Sequence, residues 1–503
     1  MKKTISRLFS TLLAFTLLAG CQAAPPAEAS QDKSSVTVVM PPTSEPEAGF
    51  DPAFGWGAGE HVHEPLIQST LTVTNPDLTI GYDLATDMRV SEDGLAWTVK
   101  IREGVKFTDG TALTATDVAF TYNAARDASS VNDFTMLDRA EAVDDTTVVF
   151  HMNRPFSIWP YTMATLGIVP EDSYDPATYG ANPIGSGRYM LKQWDRGQQV
   201  ILEANPDYYG EKPKIERVNL LFMEEDAAFL AVQAGQADLA YTSASYSDQT
   251  VNGFSLLSVK TVDNRGVNLP VTGNEFLSDA AVRRAVNMGI DRRRMIDNVL
   301  SGYGAPAYSV CDGMPWYSPA NEVAYDPEGA RAVLSGAGIS LTIHYAAGDS
   351  VRQGIAAELA NQLKELGVEA DIKGVGWDTA YTDALTNPLV WGWGAHTPME
   401  LYNIYHTEIY GDLANTARYS PYSNERADEL MDAALASTDL EESYTLWQRA
   451  QEEIAKDVPW VWLVNVDHLY WVRDGLRVAE QKLHPHGHGW SIVNNVDQWE
   501  WTM

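Results

Sequence analysis

The stretch from Asp83 to Asn123, DLATDMRVSEDGLAWTVKIREGVKFTDGTALTATDVAFTYN, constrains the fold most, because strand, turn and helix signals follow one another directly. Trp97, Val99 and Ile101 alternate with Thr98, Lys100 and Arg102, the period of two that gives a strand one apolar face. Asp109-Gly110 is a turn signal. Thr114 followed three residues later by Asp117 forms a capping box, opening a helix with Val118 and Tyr122 on one side. Such signals alternate along the whole chain, which predicts α/β layers. At 503 residues the chain suits two or three domains of about 100–200 residues each.

The first twenty residues read differently. Lys2, Lys3 and Arg7 precede an apolar run from Leu8 to Ala19, too short for a stable transmembrane helix and typical of a secretory signal. The run ends in Leu18-Ala19-Gly20-Cys21, which looks like a bacterial lipobox and marks Cys21 as the lipidated first residue of the mature chain. Residues 21–35 then form a Pro/Ala/Ser-rich tether, and no later apolar run is long enough to span a bilayer. Removing 1–20 takes away three basic residues and no acidic ones, moving the formal charge from −33 to −36. That balance argues against nucleic acid as a partner. The second cysteine, Cys311, then has no intramolecular partner, so the fold is expected to stand without disulfides.

The Asp83–Asn123 block resembles the signature of the family 5 extracellular solute-binding proteins, the peptide/nickel-binding components of ABC importers. Leu84, Ala85, Trp97, Phe107, Asp109, Gly110, Ala115, Asp117 and Val118 match it in order. NPIGSGRYMLKQW (182–194), ANPDYYGEKPKIERVNL (204–220), FLAVQAGQADLA (229–240) and LSDAAVRRAVNMGIDRRRMIDNVLSGYGAPA (277–307) resemble further family runs in the same sequence. Arg188 departs from the family's usual Pro. The resemblance implies a periplasmic-binding-protein-like two-lobed clamp of mixed sheets flanked by helices. Residues 36–78, 182–268 and 478–503 would form the core of lobe 1, 79–181 an inserted domain of that lobe, and 269–477 lobe 2. It also implies capture of a solute between lobes, hinge closure, and docking on ABC importer permease subunits.

Signals for catalysis fail one by one. HEPLI (63–67) begins like H-E-x-x-H but ends in Ile67, PIGSGRY is not G-x-S-x-G, and GWGAGE breaks the dinucleotide pattern at Glu60. An enzyme is not expected, nor a catalytic cofactor.

For the cargo, the Trp-rich stretch WGWGAHTPMELYNIYH (391–406) resembles the family's ligand-facing run. Peptide-binding relatives carry an Asp there that pairs with a peptide ammonium; this chain has His396, and nickel-binding relatives use a His in that stretch. Trp391, Trp393, Met399 and Tyr402 accompany it as candidate contacts, with Glu400 nearby. His61 and His63, alternate residues in the early loop, would face one site if the segment is extended. Imidazole suits nickel, zinc and copper. Arg265 and Arg188 are candidate clamps for a ligand carboxylate. His151, His344 and His468 read as ordinary hydrogen-bonded residues.

QKLHPHGHGW (481–490) places His484, His486 and His488 at alternate positions. Three readings stand open: a cleft floor with Trp490 covering the ligand, imidazoles bound to the backbone that fix the crossover between lobes, or a surface metal site. The expected protein is a monomeric, lipid-anchored binding protein on the outer face of the cytoplasmic membrane. Nickel or a nickel chelate is its first expected cargo and a short peptide the alternative. An oligosaccharide, or a metal-dependent hydrolase, ranks lower.

Overall fold

The computed structural model describes residues 32–46, 49–54, 57–58, 61–62, 64–128, 134–407, 422–487 and 489–502, without the side chains of 57, 58, 61, 62, 377, 378 and 381. The expected leader and Cys21 lie outside the described residues. Among the described residues, no helix is long and apolar enough to cross a membrane.

Three sheets organise the chain. The first has seven strands in the order Tyr189–Asp195, Gln199–Ala204, Arg217–Phe222, Ser35–Met40, Leu239–Thr242, His468–Arg473 and Phe254–Val259. Its centre is parallel, Ser35–Met40 pairing with both Arg217–Phe222 and Leu239–Thr242, and antiparallel strands complete both sides. Val36, Val38, Val218, Leu220 and Leu239 are wholly buried on one side of it. The helix Glu225–Gln233 covers the other through Ala228, Ala231 and Val232.

The second sheet has six strands, Gly304–Pro306, Trp460–Val466, Asn264–Asn268, Leu389–Trp393, Ser340–Ala346 and Glu369–Val375. The helices Ala280–Gly289, Arg292–Leu300, Pro327–Leu334 and Ser350–Glu365 bury Val286, Ile296, Leu334 and Leu359 against it. The third sheet is the four-stranded antiparallel run Ala85–Val90, Ala96–Ile101, Thr147–Met152, Leu137–Asp144, packed on the helix Ala115–Ala128.

The Asp83–Asn123 reading holds at atomic detail. Trp97, Val99 and Ile101 are buried on one face. Thr111 donates its N–H to Asp109 at 2.9 Å, and Gly110 takes φ +89°, the left-handed value a turn needs and glycine permits. Thr114 donates its N–H to the Asp117 carboxylate at 2.8 Å, closing the capping box.

The chain passes between the first and second sheets twice, at 260–263 and at Asp467. Both crossings lie ahead of the 268/269 and 477/478 lines drawn from the sequence. Asn264–Asn268 pairs with Leu389–Trp393 and Trp460–Val466, so it is a strand of the second sheet, while His468–Arg473 pairs inside the first. Strand pairing decides membership here, and the sequence carries no mark of which sheet a buried strand joins. The crossings are tied together: Val466 N–H donates to Asp263 O at 2.9 Å, and Lys260 Nζ meets Asp467 at 2.6 Å. The stretch that follows the third sheet reaches the second half independently. Ser157 Oγ donates to Ala434 O at 2.8 Å, and the hydroxyls of Tyr161 and Tyr444 meet beside Trp316.

Candidate binding cavity

A cavity of about 290 Å³ opens between the early loop, the turn before Tyr189 and the C-terminal segment. Its walls come from the segment 64–76, Asp83, Arg188, Tyr208 and two pieces of the C-terminal segment, 480–482 and 491–498. The glycine-rich turn in PIGSGRY seats it. Gly185 lies so close to the early loop that a Cβ there would sit 2.0 Å from Ile67 O, and Gly187 donates its N–H to that carbonyl at 2.8 Å. Glycine at these two positions lets the turn that ends in Arg188 pack directly on the Leu66–Ile67 backbone.

Both signs of charge line the space. Glu64 is met by Lys482 Nζ on one carboxylate oxygen and by Asn494 Nδ2 at 2.6 Å on the other. Burial alone would raise its pKa, but the Lys482 ammonium and Asn494 outweigh burial and hold it below the usual range. Arg188 donates to Asp497 at 2.9 Å, and that carboxylate keeps its guanidinium charged against desolvation. Asp83 accepts from the Tyr209 hydroxyl, and burial pushes its pKa up. Gln481, Asn495 and Gln498 add neutral donors and acceptors.

From Lys482 onward the C-terminal segment binds alternately to the two halves. Lys482 holds Glu64 and also donates to Thr74 O at 3.1 Å. Leu483 O lies 2.8 Å from His396 Nε2, on the loop after the second-sheet strand Leu389–Trp393. His484 donates its N–H to Lys260 O at 3.0 Å and accepts from Val262 N–H at 2.8 Å, adding a short strand to the first crossing. His486 donates its N–H to Gly394 O at 2.6 Å, back on the second half. Gly394 is required there: its φ is +144°, and a Cβ would sit 2.2 Å from Val262 O. Glu400 shapes the loop by accepting from the N–H groups of Gly394 and Ala395 at 2.9 Å each, although burial raises its pKa to about 7.

Beneath this segment lies Asp263, 6% exposed, whose carboxylate is shared by Arg265, His486 and, at 3.3 Å, His468 Nε2. Burial would raise its pKa, yet Arg265 and His486 hold it well below the usual range. His468 Nδ1 faces His484 Nδ1 at 3.3 Å, and His484, 1% exposed, has its pKa driven well below the ordinary value by burial.

These positions sort the residues singled out from the sequence. Arg188 borders the cavity. Arg265 does not: it is 8% exposed and bound to Asp263. The main chain of His484 and His486 bonds the backbone of both halves, while the His484 ring meets His468 and Gln481 and the His486 ring meets Asp263, so the crossing is tied there without the ring-to-backbone bonds that the crossover reading assumed. Their backbone groups point in different directions because Pro485 and Gly487 break the extended path that a period of two assumes. Trp490 is no lid. It is 3% exposed, donates Nε1–H to Ser44 O at 2.7 Å and packs edge-on to Phe50 in the first core. Met399 and Tyr402 are core residues of the helix Met399–Tyr405, Tyr402 bonding Asp432 and stacking on His406 at 4.0 Å. Trp391 is buried with Arg352 over its ring, and Trp393 is half-buried on the strand that leads to His396.

His396 itself is half-buried; burial first, then Lys482, lowers its pKa to about 4, so it is neutral at pH 7. Among the described residues, no group of three His, Cys, Asp or Glu is arranged to hold a metal. His63 and His488 lie outside the described residues, as does the side chain of His61, whose backbone forms the strand His61–Val62. His468, read as an ordinary hydrogen-bonded residue, belongs to the Asp263 cluster, while His344 is buried 3.6 Å from Asp383. Sequence reading missed Glu64, Lys482 and Asp83 as cavity residues, and Asp497 as the partner of Arg188. Glu64 lies in HEPLI and Lys482 in QKLHPHGHGW, each beside histidines that carry the stronger sequence signal.

Comparison with known proteins fits the same architecture. The family described as bacterial extracellular solute-binding proteins, family 5 Middle, matches residues 79–415. The chain is 30% identical over 476 residues to Protein XP55 of Streptomyces lividans, covering 88% of this chain and 86% of that one. It is 26% identical over 555 residues to the oligopeptide-binding protein AppA of Bacillus subtilis (strain 168), covering 99% of each. The solved structure of NikZ from Campylobacter jejuni in complex with Ni(L-His) shares the fold. Its TM-score is 0.73 at 21% identity, over 93% of this chain and 99% of that chain.

Proposed function

Because this chain belongs to the family 5 bacterial extracellular solute-binding proteins, substrate-binding components of ABC importers rather than enzymes, we propose that it captures a short peptide in the Glu64–Arg188 cavity and delivers it to the permease. The carrying observation is the cavity's pairing of an ionised carboxylate with a fixed guanidinium, complementary to the two ends of a zwitterion. Its size supports a small cargo: about 290 Å³ falls near the lower bound of ligand sites, roughly 300 Å³. The relative named as oligopeptide-binding, aligned along the full chain, supports the same class.

A second reading, a nickel chelate with a small carboxylate-rich molecule, is favoured by His396. Its imidazole is neutral at pH 7, the form that ligates metal, and a solved neighbour holds Ni(L-His). In this reading the metal arrives already chelated, with His396 as protein donor. In both readings the protein works as a monomer on the outer face of the cytoplasmic membrane, lipid-anchored at Cys21.

Thermal-shift titration separates the readings. The expected result is stabilisation by free di- and tripeptides and none by nickel with histidine or by oligosaccharides. Stabilisation by nickel–histidine alone would transfer the assignment to the chelate.

A further inference from the structure

Resting on the peptide reading, we propose that Glu64 is the receptor for the cargo's ammonium group and that Lys482 competes for it. Glu64 borders the cavity, is held ionised, and already binds one ammonium group, with Asn494 fixing its second oxygen at 2.6 Å. The competing cation is a lysine, a compact charge on a rotatable four-carbon stem that also donates to Thr74 O at 3.1 Å. The other cation of the cavity, Arg188, is a planar fork engaged with Asp497 and leaves the carboxylate-binding role open on that wall. Asp83 is the weaker candidate for ammonium capture: the Tyr209 hydroxyl is bonded to it and burial disfavours its charged form.

Competition at Glu64 also reaches the contact between the halves. The residue after Lys482 is Leu483, whose carbonyl is bound to His396 of the second half, and His484 follows in register with the first crossing. A cargo ammonium that displaces Lys482 therefore pulls on the segment joining cavity, loop and hinge. Occupancy and closure share one stretch of backbone.

Isothermal titration of the full-length protein with dialanine, N-acetyl-dialanine and dialanine amide tests this. Removing the competitor in Lys482→Met is expected to tighten dialanine and its amide by about tenfold and leave N-acetyl-dialanine unchanged, as for an ion pair exchanged in a half-buried site. Glu64→Gln is expected to weaken the two free-amine probes by about tenfold or more. Lys482→Gln, which keeps a polar stem end without charge, gives the same ordering if the Met variant does not fold; melting curves certify either variant. Equal binding of N-acetyl-dialanine and dialanine by the unaltered protein would overturn the inference and leave the peptide reading standing. So would weaker dialanine binding in a folded Lys482 variant. Failure of every dipeptide form to bind any variant would overturn the peptide reading itself.

Discussion

The Asp263 cluster and the Glu64–Arg188 cavity are both built from half-buried or buried charges, and they use them oppositely. Around Asp263 every charge is spent on a neighbour: one carboxylate serves Arg265, His468 and His486, beside a crossing only two short backbone passages wide. In the cavity, Glu64 and Arg188 are also paired, but Glu64, Arg188 and Lys482 border open volume of about 290 Å³. Saturated charge ties the crossing, and charge that borders open volume is what the proposed binding site rests on. His484 and His486, from the run that suggests metal chemistry in sequence, fall on the saturated side.

The contrast is broken most strongly by Asp263→Ala. It leaves a buried Arg265 and two half-buried imidazoles without their shared carboxylate, and a loss of about 3–5 kcal/mol is expected by denaturant titration. A loss under about 1 kcal/mol, the scale of a surface pair, would mean that the cluster is not saturated. Next is Gly394→Ala, where a Cβ would meet Val262 O and the backbone stays at positive φ. The expected cost is about 1–3 kcal/mol, read as a lowered melting temperature. Arg188→Met sharpens the other side: it should weaken a free-carboxylate dipeptide by about tenfold while leaving its amide nearly unchanged, because a charge-assisted hydrogen bond is worth roughly 1.5–3 kcal/mol.

The smallest effect is the pH response. His396 has a folded pKa of about 4 against an ordinary 6.5, so the unfolded chain takes up a proton that the folded chain refuses. Its neutral burial therefore favours folding above pH 6.5 and loses that advantage progressively between 6.5 and about 4. Glu400 runs the other way: with its pKa raised to about 7, its contribution falls as pH rises from 4.5 to 7. The two partly offset. His396→Asn is expected to flatten the acid-side decline, measured as stability between pH 7 and pH 4.5 in both proteins.

Local features were legible in the sequence and long-range pairings were not. The strand, turn and capping box between Trp97 and Asp117 depend on neighbours a few residues apart, and each appears as read. Glu64 and Lys482 are 418 residues apart, and in a chain with 68 acidic residues neither announces a partner. The family's layout puts Trp490 beside the crossing, where it would cover a ligand, but the helical segment Trp490–Gln498 turns its apolar side into the first core. Arg188 borders the cavity because it ends a turn that glycines press onto the opposing backbone, a local feature that PIGSGRY shows in the sequence. The crossings fell earlier than expected because strand pairing, invisible without the partner strands, settles where one sheet ends and the next begins.

The most direct test of the cargo is native mass spectrometry of the chain from Gln22 onward, purified without chelators or an affinity tag, with any bound mass identified after denaturation. The expected result is an excess, or a spread of excesses, matching peptides of two or three residues with free amino and carboxyl ends. A nickel-sized increment, alone or with one small organic acid, would contradict it and return the site to His396.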